Sequence, residues 1–356
     1  MPPRAVGSWE ILSIAGRGGV GIVYRARHRV TGARAAVKLL APPPAADAGA
    51  ARRLAREFEA LSGLDHPNVI RVLEAGVCEG YSYLAMELVD GLDLRSYLSP
   101  AFELPVPPSP LSAICSDPFS TFSQEPDTEG LLPALEQGPA AILSFAERID
   151  EPDTEEALGP PPPEPSPAPT RLPVVREEPH PPSMEVLQLL NAPARLARMR
   201  DALRQVCCGL AHVHAHGLVH RDLKPSNIMV DDARRVRLMD FGLVKLASDA
   251  GTGLHSKVVG TYRYMAPEQA RGLVVDARAD LYSLGVILFE LLCGRPPFLC
   301  DDPGDLWREI LARPPPSVRS LNPGADPRLA RVAEQLLQKD PAERLRGAEE
   351  VTAALG

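Results

Sequence analysis

No Cys-x-x-Cys pair occurs in this chain, and its six cysteines, Cys78, Cys115, Cys207, Cys208, Cys293 and Cys300, have no secreted-scaffold spacing. They read as reduced thiols, which sets the expected compartment as the cytoplasm. A long apolar run is also missing. The longest, Leu281–Cys293, carries Glu290 and is too short to cross a bilayer, and the opening Met-Pro-Pro-Arg lacks the apolar stretch of a signal peptide. Nor is there an excess of positive charge: the formal net charge is −8, against the basic balance of a nucleic-acid binder. Hydrophobic residues at 45% and charged residues at 24% exclude a wholly disordered or collagen-like chain.

Proline is what the chain has in excess. Of its 39 prolines, 21 fall within Pro100–Ser183, which also holds 15 Asp and Glu against 3 Arg and no Lys. That segment is at −12, leaving a mildly basic +4 for the remainder. Acidic, proline-rich sequence buries too little apolar surface to offset its ordering entropy, so residues 100–183 are expected to be a disordered insertion. Within it Glu125-Pro-Asp-Thr128-Glu129 recurs as Glu151-Pro-Asp-Thr154-Glu155. The repeat reads either as paired phosphothreonine sites or docking elements for a peptide-reading partner, or as drift in a permissive segment.

On either side of the insertion the periodicity differs. Trp9–Ile14 is a strand-like run ending in Gly16, Gly18, Gly19 and Gly21, after which Ile22-Val23-Tyr24 resumes the pattern. Ala35–Leu40, Val69–Leu73 and Tyr81–Leu88 are further strand candidates, and Ala50–Leu61 places Leu54, Phe58 and Leu61 on one helical face. After residue 183 long helical stripes take over: Leu196, Met199, Leu203, Val206 and Leu210, then the all-round apolar Leu281–Leu292, then Arg328–Leu337. A β-rich part followed by an α-rich part predicts an α+β protein of two lobes.

Gly16-Arg17-Gly18-Gly19-Val20-Gly21-Ile22-Val23 fits G-x-G-x-x-G-x-V between two strands, where missing Cβ atoms let backbone amides approach a phosphate. A helix does not follow, as a dinucleotide fold would require, and no Gly-Lys-Ser/Thr is present, as a Walker loop would require. Further along stand His220-Arg221-Asp222-Leu223-Lys224-Pro225-Ser226-Asn227, then Asp240-Phe241-Gly242, then Ala266-Pro267-Glu268. With these four motifs in order, the chain resembles the bacterial eukaryotic-like serine/threonine protein kinases over all but the acidic insertion.

The resemblance implies a bilobal kinase fold and ATP-dependent phosphoryl transfer to protein hydroxyls with Mg²⁺ as cofactor. It implies Asp222 as catalytic base, Lys224 as a cation on the transferring phosphate, and Asn227 and Asp240 as metal ligands. Lys38 would hold the α- and β-phosphates with Glu57 as its helix partner, Glu59 being the rival. The glycine loop from Gly16 to Val23 would cover the phosphates. Met86 would be the gatekeeper, the Glu87 and Val89 backbones would face adenine, Ala36, Val23 and Met229 would sandwich the base, and Asp93 would meet the ribose. Asp280 would accept hydrogen bonds from the catalytic-loop backbone, and Arg344 would pair with Glu268. Arg221 and Lys245 would form a cationic pocket for a phosphate on Thr252 or Ser256, an autophosphorylation. The i, i+4 pair His212 and His216 invites a metal reading, but a packing role at the end of a helix fits them better. The expected layout is one kinase domain over about 9–356: an N-lobe with hinge in 1–99, the insertion in 100–183 and a C-lobe in 184–356. Protein substrates are the expected partners, with neither nucleic acid nor a membrane span. Two rivals remain, a kinase-like scaffold without activity and a small-molecule kinase of the aminoglycoside type. The intact Lys38, Glu57, Asp222, Asn227 and Asp240 speak against the first, and Ala266-Pro267-Glu268 against the second.

Overall fold

The computed structural model describes residues 3–18, 21–40, 62–78, 81–100, 182–241, 262–300 and 302–356. The expected helix over Ala50–Leu61, with both Glu57 and Glu59, lies outside them. So do Gly19, Val20, Gly242, Lys245, Thr252 and Ser256, and nearly all of the acidic insertion.

Six strands form one antiparallel sheet in the order β1-β2-β3-β4-β6-β5. They are β1 (Ala5–Val6), β2 (Trp9–Gly18), β3 (Gly21–His28), β4 (Arg34–Leu40), β5 (Val72–Cys78) and β6 (Tyr81–Glu87). Alternation along β3 explains its pleat: Tyr24 and Ala26 are buried while Arg25 and Arg27 face out. The ends of β2 and β3 pair down to Gly18 opposite Gly21. One strand lies elsewhere than the pattern indicated. Val69–Leu73 was the expected run, but the strand starts at Val72, because Ile70 donates its N–H to Leu238 O and Leu238 donates its own to Asn68 O, both at 2.9 Å. Residues 68–70 thereby serve the second lobe.

That lobe begins with β7 (Gly91–Asp93), which pairs with β8 (Ile228–Asp231), and β8 in turn pairs with β9 (Val236–Leu238). Its helices are α1 (Leu94–Tyr97), α2 (Met184–Leu190), α3 (Pro193–Ala215), α4 (Pro267–Ala270), α5 (Ala277–Cys293), α6 (Pro303–Ala312), α7 (Val318–Leu321), α8 (Pro327–Leu336) and α9 (Ala348–Leu355). Met199, Leu203, Val206, Leu210 and Val213 recur at three- and four-residue intervals and form the buried stripe of α3. The central α5 is buried on nearly all faces, starts at the Asp276 cap and stops at Gly294, whose φ of +72° suits glycine. It meets α8 closely: a Cβ on Gly285 would lie 2.7 Å from Leu336 Cβ, so only glycine fits there.

Both ends of the insertion are fastened to this lobe. Arg195, buried at the start of α3, donates to Leu98 O at 2.7 Å, to Leu190 O at 2.8 Å and to Leu291 O at 2.9 Å. Leu98 stands just before the insertion and Leu190 just after it, while Leu291 is on α5. Burial lowers the Arg195 pKa to about 10, still well above neutrality, so one charged guanidinium holds the two chain ends against the core.

Candidate active site

The loop between α3 and β8 is fixed from below by one buried carboxylate. Asp280, in the first turn of α5, accepts the backbone N–H of His220 on Oδ2 and that of Arg221 on Oδ1, each at 2.8 Å, and faces His214 Nε2 at 2.8 Å. These bonds hold Arg221 at φ +63°, a left-handed conformation costly for a side-chain-bearing residue. The His220 ring lies against Phe241 with centroids 4.5 Å apart and has Nε2 2.9 Å from Met239 O. Burial lowers its pKa, which keeps the ring neutral and makes it a packing group.

On that support stand the charged groups. Asp222 Oδ2 is 3.0 Å from Lys224 Nζ and accepts from Asn227 Nδ2 at 3.2 Å, and Asn227 Nδ2 also donates to Asp222 O at 2.8 Å. A short 3₁₀ turn over Pro225–Asn227 brings the three together. Asp240 follows β9 at φ +55°, and its Oδ1 meets Lys38 Nζ, from β4, at 2.9 Å. Cross-strand pairing sets Lys38 opposite Val23 on one side and Leu84 on the other, so the amine hangs from the middle of the sheet. The buried Ala36 and Met86, with the partly buried Val23 and Val89, pack into one cluster that also holds Phe241.

Other expected residues settle as follows. Asp93 caps α1, accepting the Ser96 N–H at 2.8 Å, and pairs across strands with Met229. The Glu87 carboxylate receives Arg237 at 3.0 Å while its backbone N–H goes to Arg71 O. Gly16, Arg17, Gly18, Gly21 and Ile22 lie in the hairpin strands, with Gly16 opposite Val23 and Arg17 opposite Ile22. Arg344 and Glu268 form the expected pair, two-pronged at 2.7 and 2.8 Å and almost wholly buried. His212 stacks on His66 at 4.8 Å and contacts His216 at 4.5 Å, and no cluster of three or more metal-ligating side chains occurs among the described residues. No motif marks Gln269, which accepts the Ala266 N–H and donates to Arg221 O at 3.0 Å, tying α4 to the loop that carries Asp222. Arg95, Tyr264 and Glu290 were also missed. Arg95 meets Tyr264 Oη at 2.8 Å, and Tyr264 donates to Glu290 at 2.6 Å.

Comparison with known proteins gives this arrangement a family. The protein kinase domain model matches residues 9–115 and 181–354. The chain belongs to the protein kinase domain family. The unmatched gap falls inside the acidic insertion. Among curated kinases the chain is similar to the DNA damage-responsive serine/threonine-protein kinase RqkA of Deinococcus radiodurans, 32% identical over 94% of this chain and 37% of that one. It is also similar to serine/threonine-protein kinase PrkC of Bacillus subtilis, 26% identical over 98% of this chain and 40% of the relative. The chain thus spans about two-fifths of the length of these kinases. The solved kinase domain of Mycobacterium tuberculosis PknI shares the fold, with a TM-score of 0.58 and 21% identity, covering 100% of this chain and 98% of that one. The kinase fold is therefore bilobal here, a curled β-sheet lobe over a helical lobe.

Proposed function

We propose that this chain transfers the γ-phosphate of ATP to serine and threonine hydroxyls of proteins, its own included, in bacterial signalling. The observation that carries this reading is the convergence of Asp222, Lys224, Asn227 and Asp240 from the second lobe upon Lys38 from the first. Phosphoryl transfer asks for placed cations and one oriented carboxylate, and the set supplies both.

Asp222 would accept the proton of the attacking hydroxyl, with Asn227 fixing its carboxylate and Lys224 balancing charge as the phosphoryl moves. Lys38 would hold the α- and β-phosphates, supported by Glu57. The hairpin from Gly16 to Val23 would lay backbone amides over the phosphates. Val23, Ala36 and Met229 would enclose adenine beside Met86. Because the Glu87 N–H is already given to Arg71, adenine would meet its carbonyl and the Val89 backbone. Asp93 spends one oxygen on its helix cap and keeps the other for the ribose. Mg²⁺ fits Asp240 and Asn227, which offer hard oxygen donors, the Asn227 amide nitrogen being turned toward Asp222. When bound, the metal would neutralise phosphate charge. The domain is read as residues 9–356, with lobes in 1–99 and 184–356 about the 100–183 insertion. Cytoplasmic operation rests on the cysteine pattern, and no helix among the described residues is long and apolar enough to span a membrane.

Incubating the full chain with γ-labelled ATP, Mg²⁺ and a generic basic protein tests the reading. Acid-stable label on serine or threonine supports it, whereas label on small molecules alone would place the chain among other phosphotransferases.

A further inference from the structure

One edge of the sheet lobe carries a concentration of positive charge that the kinase reading leaves unused. Strand register builds it: Arg27 on β3 lies between Glu10 on β2 and Arg34 on β4, and Ala35, next along β4, pairs with Glu87 where the chain enters the hinge. Arg4 and Arg29 close in from the flanking turns, Arg4 O accepting the Ile11 N–H and Arg29 donating to Ser8 O. Arg4, Arg27 and Arg29, with Glu10, His28 and Thr31, line an open notch of about 610 Å³, and Arg34 stands beside it, opposite Arg27. The turn is braced. His28 packs edge-on to Trp9 at 5.0 Å, and its Nδ1 accepts the N–H groups of Val30 and Thr31.

Charge on this edge is not balanced locally. Glu10 meets Arg27 at 2.8 Å and Asp90 meets Arg25 at 2.9 Å. Arg4, Arg29 and Arg34 are exposed and meet no carboxylate among the described residues. Five arginines against two carboxylates leave about three positive charges on a surface with low local competition.

We propose that this arginine notch docks the chain's own acidic pentapeptides, Glu125–Glu129 and Glu151–Glu155. Each carries three carboxylates and no cation, within a segment at −12 with no lysine, so the complementarity is in sign and in number. Proximity favours the same occupant. The insertion leaves the second lobe after Ser99, nine residues along the chain from Asp90, whose carboxylate already bonds Arg25 on this edge. The residues from Pro100 to Glu125 reach up to about 80 Å at roughly 3.3 Å each, several times the length of a strand. A tether of that kind gives an effective concentration near the millimolar range, so weak, salt-sensitive contacts suffice. The docking does not depend on phosphoryl transfer, and its test reads contact rather than activity.

The test places a photo-crosslinking amino acid at Val30, 87% exposed at the notch, in the full chain, with crosslinked peptides mapped by mass spectrometry in a mixture of isotopically light and heavy protein. At low salt the crosslinks should run within one chain to peptides from residues 121–158. Their yield should fall at least about fivefold in 0.5 M salt and in Arg4→Glu/Arg29→Glu/Arg34→Glu, and recover when the six acidic pentapeptide positions are changed to lysine in that variant. The salt arm needs no substitution and so stands even if the triple variant folds poorly. Crosslinks between light and heavy chains would assign the notch to a second copy and overturn the proposal. So would insertion crosslinks indifferent to salt and charge reversal, or none from residues 121–158.

Discussion

Lys38 Nζ lies 2.9 Å from Asp240 Oδ1, joining the middle of the sheet lobe to the strand end of the helical lobe. The two residues are far apart in sequence, and both are largely screened, with side-chain exposures of 14% and 33%. The pair therefore serves as a closure point between lobes as well as part of the site. Lys38→Met should remove both functions, lowering kcat/KM by at least about 10²–10³, the usual worth of one placed donor at developing charge. Steady-state phosphotransfer on a generic substrate checks this, and near-normal turnover would remove Lys38 from the site.

The buried pair of Arg344 and Glu268 anchors the segment that ends in Ala266-Pro267-Glu268. Arg344 also donates to the carbonyls of Gln338, Arg278 and Lys339. Removing one member of a buried ion pair strands the other, so Arg344→Met should cost about 3–5 kcal/mol. A double-mutant cycle with Glu268→Gln should show strong coupling, the second change costing far less once the first is made. Urea unfolding of the four proteins measures it, and additive losses would contradict the pairing.

Arg195→Met should destabilise by at least about 2 kcal/mol, since it leaves three buried carbonyls without a donor. The carbonyls belong to Leu98, Leu190 and Leu291, so the loss should appear first as exchange of amides at the two ends of the insertion. Hydrogen exchange spread evenly over the C-lobe would argue that the guanidinium merely fills space.

Acid should loosen the joint between the loop before β5 and α3. Burial, with help from His212 and Arg237, lowers the His66 pKa from 6.5 to about 4. The unfolded chain then binds more protons than the folded one between those values, so stability is present above pH 6.5 and is lost as pH falls toward 4. His66→Asn, which keeps an acceptor for the Asn68 N–H, should flatten that part of the profile. Urea midpoints at several pH values between 7 and 4 provide the comparison, and parallel profiles would contradict the assignment.

Replacing residues 102–182 by a short Gly/Ser linker should leave generic kinase activity within about threefold, under about 0.7 kcal/mol in barrier height. The expectation follows from Arg195 closing the two chain ends independently of what lies between them. Failure to fold, or loss of catalysis, would make the insertion a structural part of the domain.

The residues that converge on the candidate site were legible in advance because they stand in motifs the family resemblance singles out, and the structure brings Asp222, Lys224 and Asn227 together and sets Lys38 against Asp240. Asp280 and Arg344 were legible only through the family resemblance, which sets a carboxylate under the loop backbone at His220 and Arg221 and an arginine against Glu268. Arg195 and Gln269 were not, since no motif marks them and they bind backbone carbonyls and N–H groups that any sequence supplies. The helix over Met184–Leu190 hid behind the prolines before it, its buried face being only Leu187 and Leu190. The start of β5 was misplaced because Val69 and Ile70 look like strand residues whichever lobe they serve. The charge on Arg4, Arg29 and Arg34 becomes a patch only once strand register brings them to one edge.

The central claim is that Asp222 is the base of a phosphoryl transfer, and single-turnover transfer from ATP by the wild type and by Asp222→Asn, with nucleotide affinity measured alongside, tests it most directly. The predicted result is a rate lower by about 10²–10⁴ with ATP affinity little changed. Equal rates in the two proteins would contradict the account.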